Sequence, residues 1–175
     1  MCGGSSLESQ VAWQLARAGV GHVTLIDPVT LEAANVGRHV LGASDLGRTK
    51  VEALCKAQPT VQNRAYATFM EWMMADTLAV FELADLVIVT TAGWQSESIL
   101  WRVKGTGKAW GLLQASSEQH TVAGHALFAP AGAFDAQYLF EKTAPFATRS
   151  QRGSMTASCR SPDVVRVLFR GGALA

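Results

Sequence analysis

The run Gly3-Gly4-Ser5-Ser6-Leu7-Glu8-Ser9-Gln10-Val11-Ala12 continues as Leu15-Ala16-Arg17-Ala18-Gly19-Val20-Gly21 and Val23-Thr24-Leu25-Ile26-Asp27, and its order decides the fold. A turn of small residues opens it. Leu7, Val11, Leu15 and Ala18 then recur at i, i+4, i+8 and i+11, which predicts a helix over residues 7–18 with those four on one face. Gly19 and Gly21 end the helix, residues 22–27 read as a short strand, and Pro28 stops it. A small-residue turn, a helix, a glycine break and a strand ending in an acid follow one another as in the mononucleotide-binding half of a doubly wound α/β sheet.

Outward from that core the pattern continues. Asn35-Val36-Gly37-Arg38 lies in a loop, and Gly47-Arg48-Thr49-Lys50 leads into a helix predicted over 49–58, with Thr49 and Glu52 at capping-box spacing and Pro59 beyond. A strand is expected near 63–68 and a helix over 71–83. Residues 85–91, with Leu86-Val87-Ile88-Val89, read as the clearest buried strand. A helix over 96–104 and strands over 109–114 and 121–128 follow. Residues 141–161 form a long polar loop, and 163–170 read as a last strand before Gly171-Gly172.

The composition fits a globular chain of ordinary domain size: 175 residues, 49% hydrophobic. A net charge of +1 offers no electrostatic case for nucleic acid or a membrane surface. Cys2, Cys55 and Cys159 have no paired spacing, and an odd number without a secretion leader fits a reducing compartment. No apolar run is long enough to cross a bilayer. A soluble, cytoplasmic protein is expected.

Taken together, Leu15 to Gly21, Asp27, the Asn35-x-x-Arg38 pair with His39-Val40-Leu41-Gly42, and Gly47-Arg48-x-Lys50 resemble the ThiF/MoeB/HesA family, the adenylating domain of ubiquitin-activating-type enzymes. Weaker echoes run through residues 85–91 and Gly124-His125-Ala126-Leu127. The resemblance implies a doubly wound, Rossmann-like sheet with helices on both faces. Residues 1–140 would form the nucleotide-binding domain, with the loop and strand of 141–175 part of the same domain. Only Met1 and Cys2 precede the glycines, so the family's first strand is expected to be absent or supplied by the C-terminal segment; an ordinary edge strand is the plainer alternative for 165–169.

The same resemblance implies ATP-dependent adenylation of the C-terminus of a small ubiquitin-like or sulfur-carrier protein, with ATP and magnesium as cofactors, by a homodimer. Two other readings stand beside it: a catalytically inactive member kept for binding or dimerisation, and an NAD-binding oxidoreductase domain. The third leaves Asn35, Arg38 and Lys50 without a role.

Gly3 would belong to the turn whose backbone N–H groups hold phosphate, but the other two positions of the family's glycine pattern carry Ser5 and Glu8. A carboxylate at Glu8 would repel phosphate; a plain turn into a helix, with an acid favourable in its first turn, serves equally. Asp27 ends a strand about twenty residues after the turn, where an acid accepts hydrogen bonds from ribose hydroxyls; an Asp-Pro turn is the alternative. Asn35 and Arg38 would face the nucleotide by resemblance, Arg38 with its planar fork on phosphate. Lys50, with Arg48 beside it, stands at a helix start, where a cation opposes the macrodipole unless an anion is bound there; the family's matching lysine touches the triphosphate. Arg38 and Lys50 are therefore the candidate catalytic residues, and Gly3, Asp27, Asn35, Arg38 and Lys50 the candidate nucleotide-binding set.

Two further departures from the family's pattern stand out, and the first weighs against chemistry. The family holds magnesium with an acid after the buried strand, and the matching run Thr90-Thr91-Ala92-Gly93-Trp94 has none; Glu97 lies a turn beyond. No cysteine pair for structural zinc occurs near residues 133–140. Cys159 reads as a surface cysteine rather than a nucleophile, and His120 and His125 as structural.

Overall fold

The computed structural model describes residues 6–57, 64–66, 75–91, 94–117, 123–133 and 165–170. The chain divides into two compact units, Met1–Glu71 with Val89–Thr91, and Trp72–Ile88 with Ala92–Ala175. Gly3, Cys2, Cys159, His120 and the polar loop of 141–161 lie outside the described residues.

The first unit begins with helix α1, Ser6–Arg17. Gly19, at φ +83°, ends it, with its N–H on the Ala16 carbonyl (3.1 Å) and the Val20 N–H on the Leu15 carbonyl (3.1 Å). This is a Schellman closure, which needs a left-handed residue that glycine supplies at least cost. Strand β1, Thr24–Ile26, follows. It pairs in parallel with β2, Arg64–Tyr66, Thr24 opposite Arg64 and Ile26 opposite Tyr66. Parallel neighbours require a crossover, and this one carries α2 (Ala33–Val36), a 3₁₀ turn (Ala43–Asp45) and α3 (Lys50–Ala57). Ala12, Val23, Leu25, Leu31, Leu41, Val51, Ala53 and Leu54 form the core, with the thiol of Cys55 half-buried against it.

Two sequence expectations change here. The loop after Pro28 contains a turn of helix, α2, because Glu32 and Asn35 cap it reciprocally: the Asn35 side-chain oxygen accepts the Glu32 N–H at 3.1 Å. The buried face of α1 is also not the one its apolar spacing suggests. Glu8, Ser9 and Ala12 are buried, Leu7, Val11 and Leu15 only half-buried, and Ala18 exposed. The helix turns its polar first turn inward, where Ser9 meets another polar segment.

The second unit contains α4 (Ala75–Glu82), α5 (Trp94–Lys104) and a four-stranded sheet. Its strand order is β3 (Leu86–Val89), β4 (Gly111–Ser117), β5 (Ala123–Ala129) and β6 (Val165–Arg170). β4 and β5 run antiparallel from Leu112 opposite Ala129 to Ser117 opposite Gly124. β5 and β6 run antiparallel from Ala123 opposite Arg170 to Phe128 opposite Val165. The C-terminal strand is thus an edge strand on β5. The suggestion that it replaces a first strand in the parallel part of the sheet is corrected: its pairing is antiparallel and local to the β4–β5 hairpin. Phe81, Leu100, Trp101, Trp110, Leu112 and Leu127 are buried in this unit, Phe81 standing edge-on to Trp110 with ring centroids 5.9 Å apart.

Candidate functional site

Besides Glu8 of α1, three titratable groups are buried among the described residues of the first unit. Asp27 follows β1 directly and is 3% exposed. One of its oxygens accepts the Val29 N–H at 2.6 Å, the turn expected of an Asp-Pro start. Burial pushes its carboxyl above the usual range, although that N–H and the charge of Lys50 both pull the other way.

Lys50 is the first residue of α3 and is 7% exposed. A backbone clasp places it. Its N–H donates to the Val29 carbonyl at 3.0 Å, Leu31 N–H to the Arg48 carbonyl at 2.8 Å, and Gly47 N–H to the Leu31 carbonyl at 3.0 Å, around an antiparallel bridge of Thr30 and Thr49. Gly47 turns the chain at φ +79°. The segment just past Asp27 therefore holds the start of α3, and Thr49 caps that helix by accepting the Glu52 N–H at 3.3 Å. Among the described residues the Lys50 ammonium has no hydrogen bond or ion pair.

The third group, His39, carried no role in the sequence reading. It is 8% exposed, and its Nδ1 accepts the Leu41 N–H at 3.2 Å. Burial, then the charge of Lys50, lower its pKa, so the ring is neutral. Its Nε2 is buried without a hydrogen-bond partner. Ser9, fully buried, brings α1 to the same place: its hydroxyl donates to the Ser6 carbonyl at 2.8 Å and accepts the Val40 N–H at 3.4 Å. Only the position of His39, directly after the Asn35-x-x-Arg38 pair, pointed to it in the sequence.

The remaining expected residues are placed differently. Asn35 spends its side-chain oxygen on the α2 cap. Arg38 is exposed; its N–H donates to the Asn35 carbonyl at 3.1 Å, and its guanidinium has no ion pair among the described residues. Arg48 is exposed and 3.6 Å from Asp45, a surface pair of little energetic weight. The structure therefore brings together Asp27 and Lys50 of the expected set, adds His39, and shows no side-chain bond joining Asn35 or Arg38 to them. Thr90, just past β3 and packed with the first unit, is 2% exposed, and its hydroxyl has no partner.

Glu97, the acid a turn beyond the family's magnesium position, is committed elsewhere. It is 5% exposed in the second unit, and its carboxylate accepts the Gln114 side-chain N–H at 2.7 Å. Gln114 in turn accepts the Trp101 indole N–H at 2.5 Å. Among the described residues no group of three or more His, Cys, Asp or Glu is placed to hold a metal ion, and no helix is long and apolar enough to cross a membrane.

Comparison with known proteins places these features. The model of the ThiF family matches residues 2–103, more than half of the chain. The chain belongs to the ThiF family. Solved structures share the fold: PaaA, in its selenomethionine form, at TM-score 0.60 and 21% identity over 71% of this chain, and Escherichia coli MccB with MccA-N7isoASN at TM-score 0.56 and 20% identity over 76%. The ThiF chain spans 38% of the length of each. No curated protein sequence gives a significant match. The α/β, Rossmann-like architecture expected from the opening stretch is thus the observed one. The ThiF match includes Asp27, His39 and Lys50, and so holds the whole buried cluster.

Proposed function

We propose that this ThiF chain binds a nucleoside triphosphate, ATP in the family's pattern, and serves adenylation of a carboxylate. The carrying observation is the burial of Asp27 and Lys50 at adjoining ends of β1 and α3, each with hydrogen-bonding capacity unspent. A buried ammonium without a partner is costly, and a bound anion removes the cost. A carboxylate at a strand end suits ribose hydroxyls.

In the reaction a carboxylate oxygen attacks the α-phosphorus, the bond from that phosphorus to the bridging oxygen breaks, and pyrophosphate leaves as the acyl-adenylate forms. Lys50 lies where charge develops on phosphate oxygens, and a fixed cation in a dry site stabilises that charge strongly. Asp27 orients the nucleoside. Arg38, exposed on the loop after α2, closes its fork over phosphate, with Asn35 setting that loop. Magnesium fits poorly: among the described residues no group of three or more His, Cys, Asp or Glu is placed to hold a metal ion, one oxygen of Asp27 is occupied, and Glu97 is engaged by Gln114. No step here passes through a metal. The acceptor is the C-terminal carboxylate of a small protein or peptide, a ubiquitin-like or sulfur-carrier protein by family resemblance; MccB, solved together with MccA-N7isoASN, supports a small partner of this general kind. A homodimer in the cytoplasm is the expected setting.

A second reading has its own support. The run from Thr90 to Trp94 carries no acid, which favours a member that binds nucleotide or partner without chemistry. Pyrophosphate exchange into ATP, with magnesium and a candidate carboxylate partner, separates the two. Exchange that disappears in Lys50→Met supports adenylation. ATP binding without exchange supports the inactive reading. Absence of both overturns the nucleotide assignment.

A further inference from the structure

Ser9 is fully buried in the first turn of α1, and its hydroxyl joins two segments 31 residues apart. Within the helix it donates to the Ser6 carbonyl at 2.8 Å, the ordinary way for a helical serine to satisfy itself. With its proton committed, its lone pairs face outward from the helix, and the Val40 N–H donates to one of them at 3.4 Å. Both partners are main-chain groups of this chain, so Ser9 acts on position rather than on a ligand. The joined segment is the one that carries Arg38. On one side the Arg38 N–H donates to the Asn35 carbonyl at 3.1 Å, and Asn35 itself caps α2 by accepting the Glu32 N–H. On the other side, two residues on, the Val40 N–H meets Ser9, and Leu41 is buried in the core. The main chain around Arg38 is thus held on both sides while the residue itself stands exposed. A long side chain that is free at its head and fixed at its root loses less freedom when it closes on a ligand.

We propose that Ser9 is a positioning residue of the nucleotide site: through the Val40 N–H it sets the stretch of main chain from which Arg38 reaches the triphosphate. The assignment rests on the nucleotide reading given above and adds to it a residue that makes no contact with the ligand. Without the serine hydroxyl the Val40 N–H loses its acceptor, and a main-chain donor inside a protein shifts until it finds another. Such a shift moves the root of Arg38, two residues away. A displacement of about 1 Å is enough to cost a positioned group most of its effect. Asp27 and Lys50 escape it. The clasp that places Lys50 joins residues 29–31 to residues 47–50 and contains neither Ser9 nor Val40, and Asp27 is bonded to Val29 of that clasp. The effect of Ser9 therefore falls on Arg38 and not on the rest of the site.

A double-mutant cycle of Ser9→Ala and Arg38→Ala in the full chain tests this, with ATP, inorganic tripolyphosphate and adenosine as separate ligands in titration calorimetry. Arg38→Ala should weaken ATP and tripolyphosphate binding by about tenfold or more, the scale of a charge-assisted bond to phosphate. Ser9→Ala should weaken both by about three- to tenfold, within the range of couplings between residues of one network, and leave adenosine unchanged. In the Arg38→Ala background the further loss from Ser9→Ala should be less than about twofold, because the group it positions is gone. Equal losses in the two backgrounds would make Ser9 a structural residue of α1 and overturn the role. So would no loss in Ser9→Ala, or a loss of adenosine along with ATP. Should Ser9→Ala fail to fold, Ser9→Cys enters the same cycle, since it keeps the size and offers a weak acceptor in place of the hydroxyl. Tripolyphosphate binding with the expected coupling, but no ATP binding, retains the role and removes the nucleotide reading. ATP binding indifferent to both substitutions does the reverse, and binding of neither ligand by the wild-type chain removes both.

Discussion

The two units bury polar groups in different ways. In the second, Lys104 is wholly buried, yet its ammonium donates to the Lys108 carbonyl at 3.0 Å and stands 5.7 Å from the ring centre of Trp110. Burial lowers its pKa. Glu97, Gln114 and Trp101 form a chain in which donor meets acceptor at each step. The indole N–H of Trp110 is the exception. In the first unit Lys50, His39 Nε2 and the Thr90 hydroxyl are buried with nothing to bond among the described residues. A satisfied buried network fixes one packing; an unsatisfied one costs stability unless something binds. The second unit's polar core is architecture, and the first unit's is the place proposed for a ligand.

The largest expected effect tests the architectural half. Gln114→Leu keeps roughly the same volume but removes the amide that bonds both the Glu97 carboxylate and the Trp101 N–H. A loss of about 3–4 kcal/mol is expected, since two hydrogen bonds go and one of them is to a charged group. The midpoint of urea unfolding reads it. A loss below about 1 kcal/mol would show that the network contributes little and would blur the contrast between the units.

Lys50→Met tests the other half. Removing a buried cation that lacks a partner should leave stability unchanged or slightly raised, because the desolvation cost goes with the charge. The affinity for ATP should fall by about 2–3 kcal/mol, the scale of a charge-assisted contact with phosphate. Thermal unfolding and calorimetry on the same sample check both. A variant that unfolds while the wild-type chain binds no ATP would make Lys50 architectural like Lys104.

The pH dependence of stability sharpens the comparison within the first unit. His39 has a folded pKa below its ordinary 6.5, so on acidification the unfolded chain takes up its proton first. The stability it contributes is present above pH 6.5 and is lost as the pH falls towards the folded value. Asp27 acts in the opposite sense. Its folded pKa lies above its ordinary 3.8, so its contribution is full below that value and is lost as the pH rises through the folded one. His39→Gln should flatten the unfolding midpoint between pH 7 and 5. Asp27→Asn should remove the acid-side gain and leave the His39 loss. Midpoints that do not change slope in either variant would place both groups in solvent-like surroundings.

These contrasts explain what the sequence could and could not disclose. The order of α1, β1 and α3 was legible because turn glycines, short-range periodicity and Thr49–Glu52 spacing are local signals, and local signals set helices and strand ends. Asp27 and Lys50 were legible by motif. His39 was not, because its meaning depends on a backbone N–H two residues away and on a lysine eleven residues on, and no periodicity encodes either. The face of α1 misled for the same reason: Leu7, Val11 and Leu15 make the better apolar stripe, yet Ser9 has a distant partner in Val40 that draws the other face inward. Arg38, the family's expected phosphate ligand, remains exposed, since a long charged side chain without its anion gains most by staying in water.

The smallest effect expected isolates the clasp that holds Lys50. Thr49→Ala removes the hydroxyl that accepts the Glu52 N–H at 3.3 Å, and a lost N-cap costs about 0.5–1 kcal/mol. The backbone bridge of Thr30 and Thr49 survives the change, as do the Lys50 N–H to Val29 and the left-handed turn at Gly47, because none of them uses the threonine side chain. Lys50 should therefore stay in place, and ATP affinity in Thr49→Ala should remain within about a factor of two while the unfolding midpoint drops. If affinity fell with stability, the start of α3 would owe its position to its cap. Lys50 would then be set by helix ends, as Lys104 is, and not by the segment that follows Asp27.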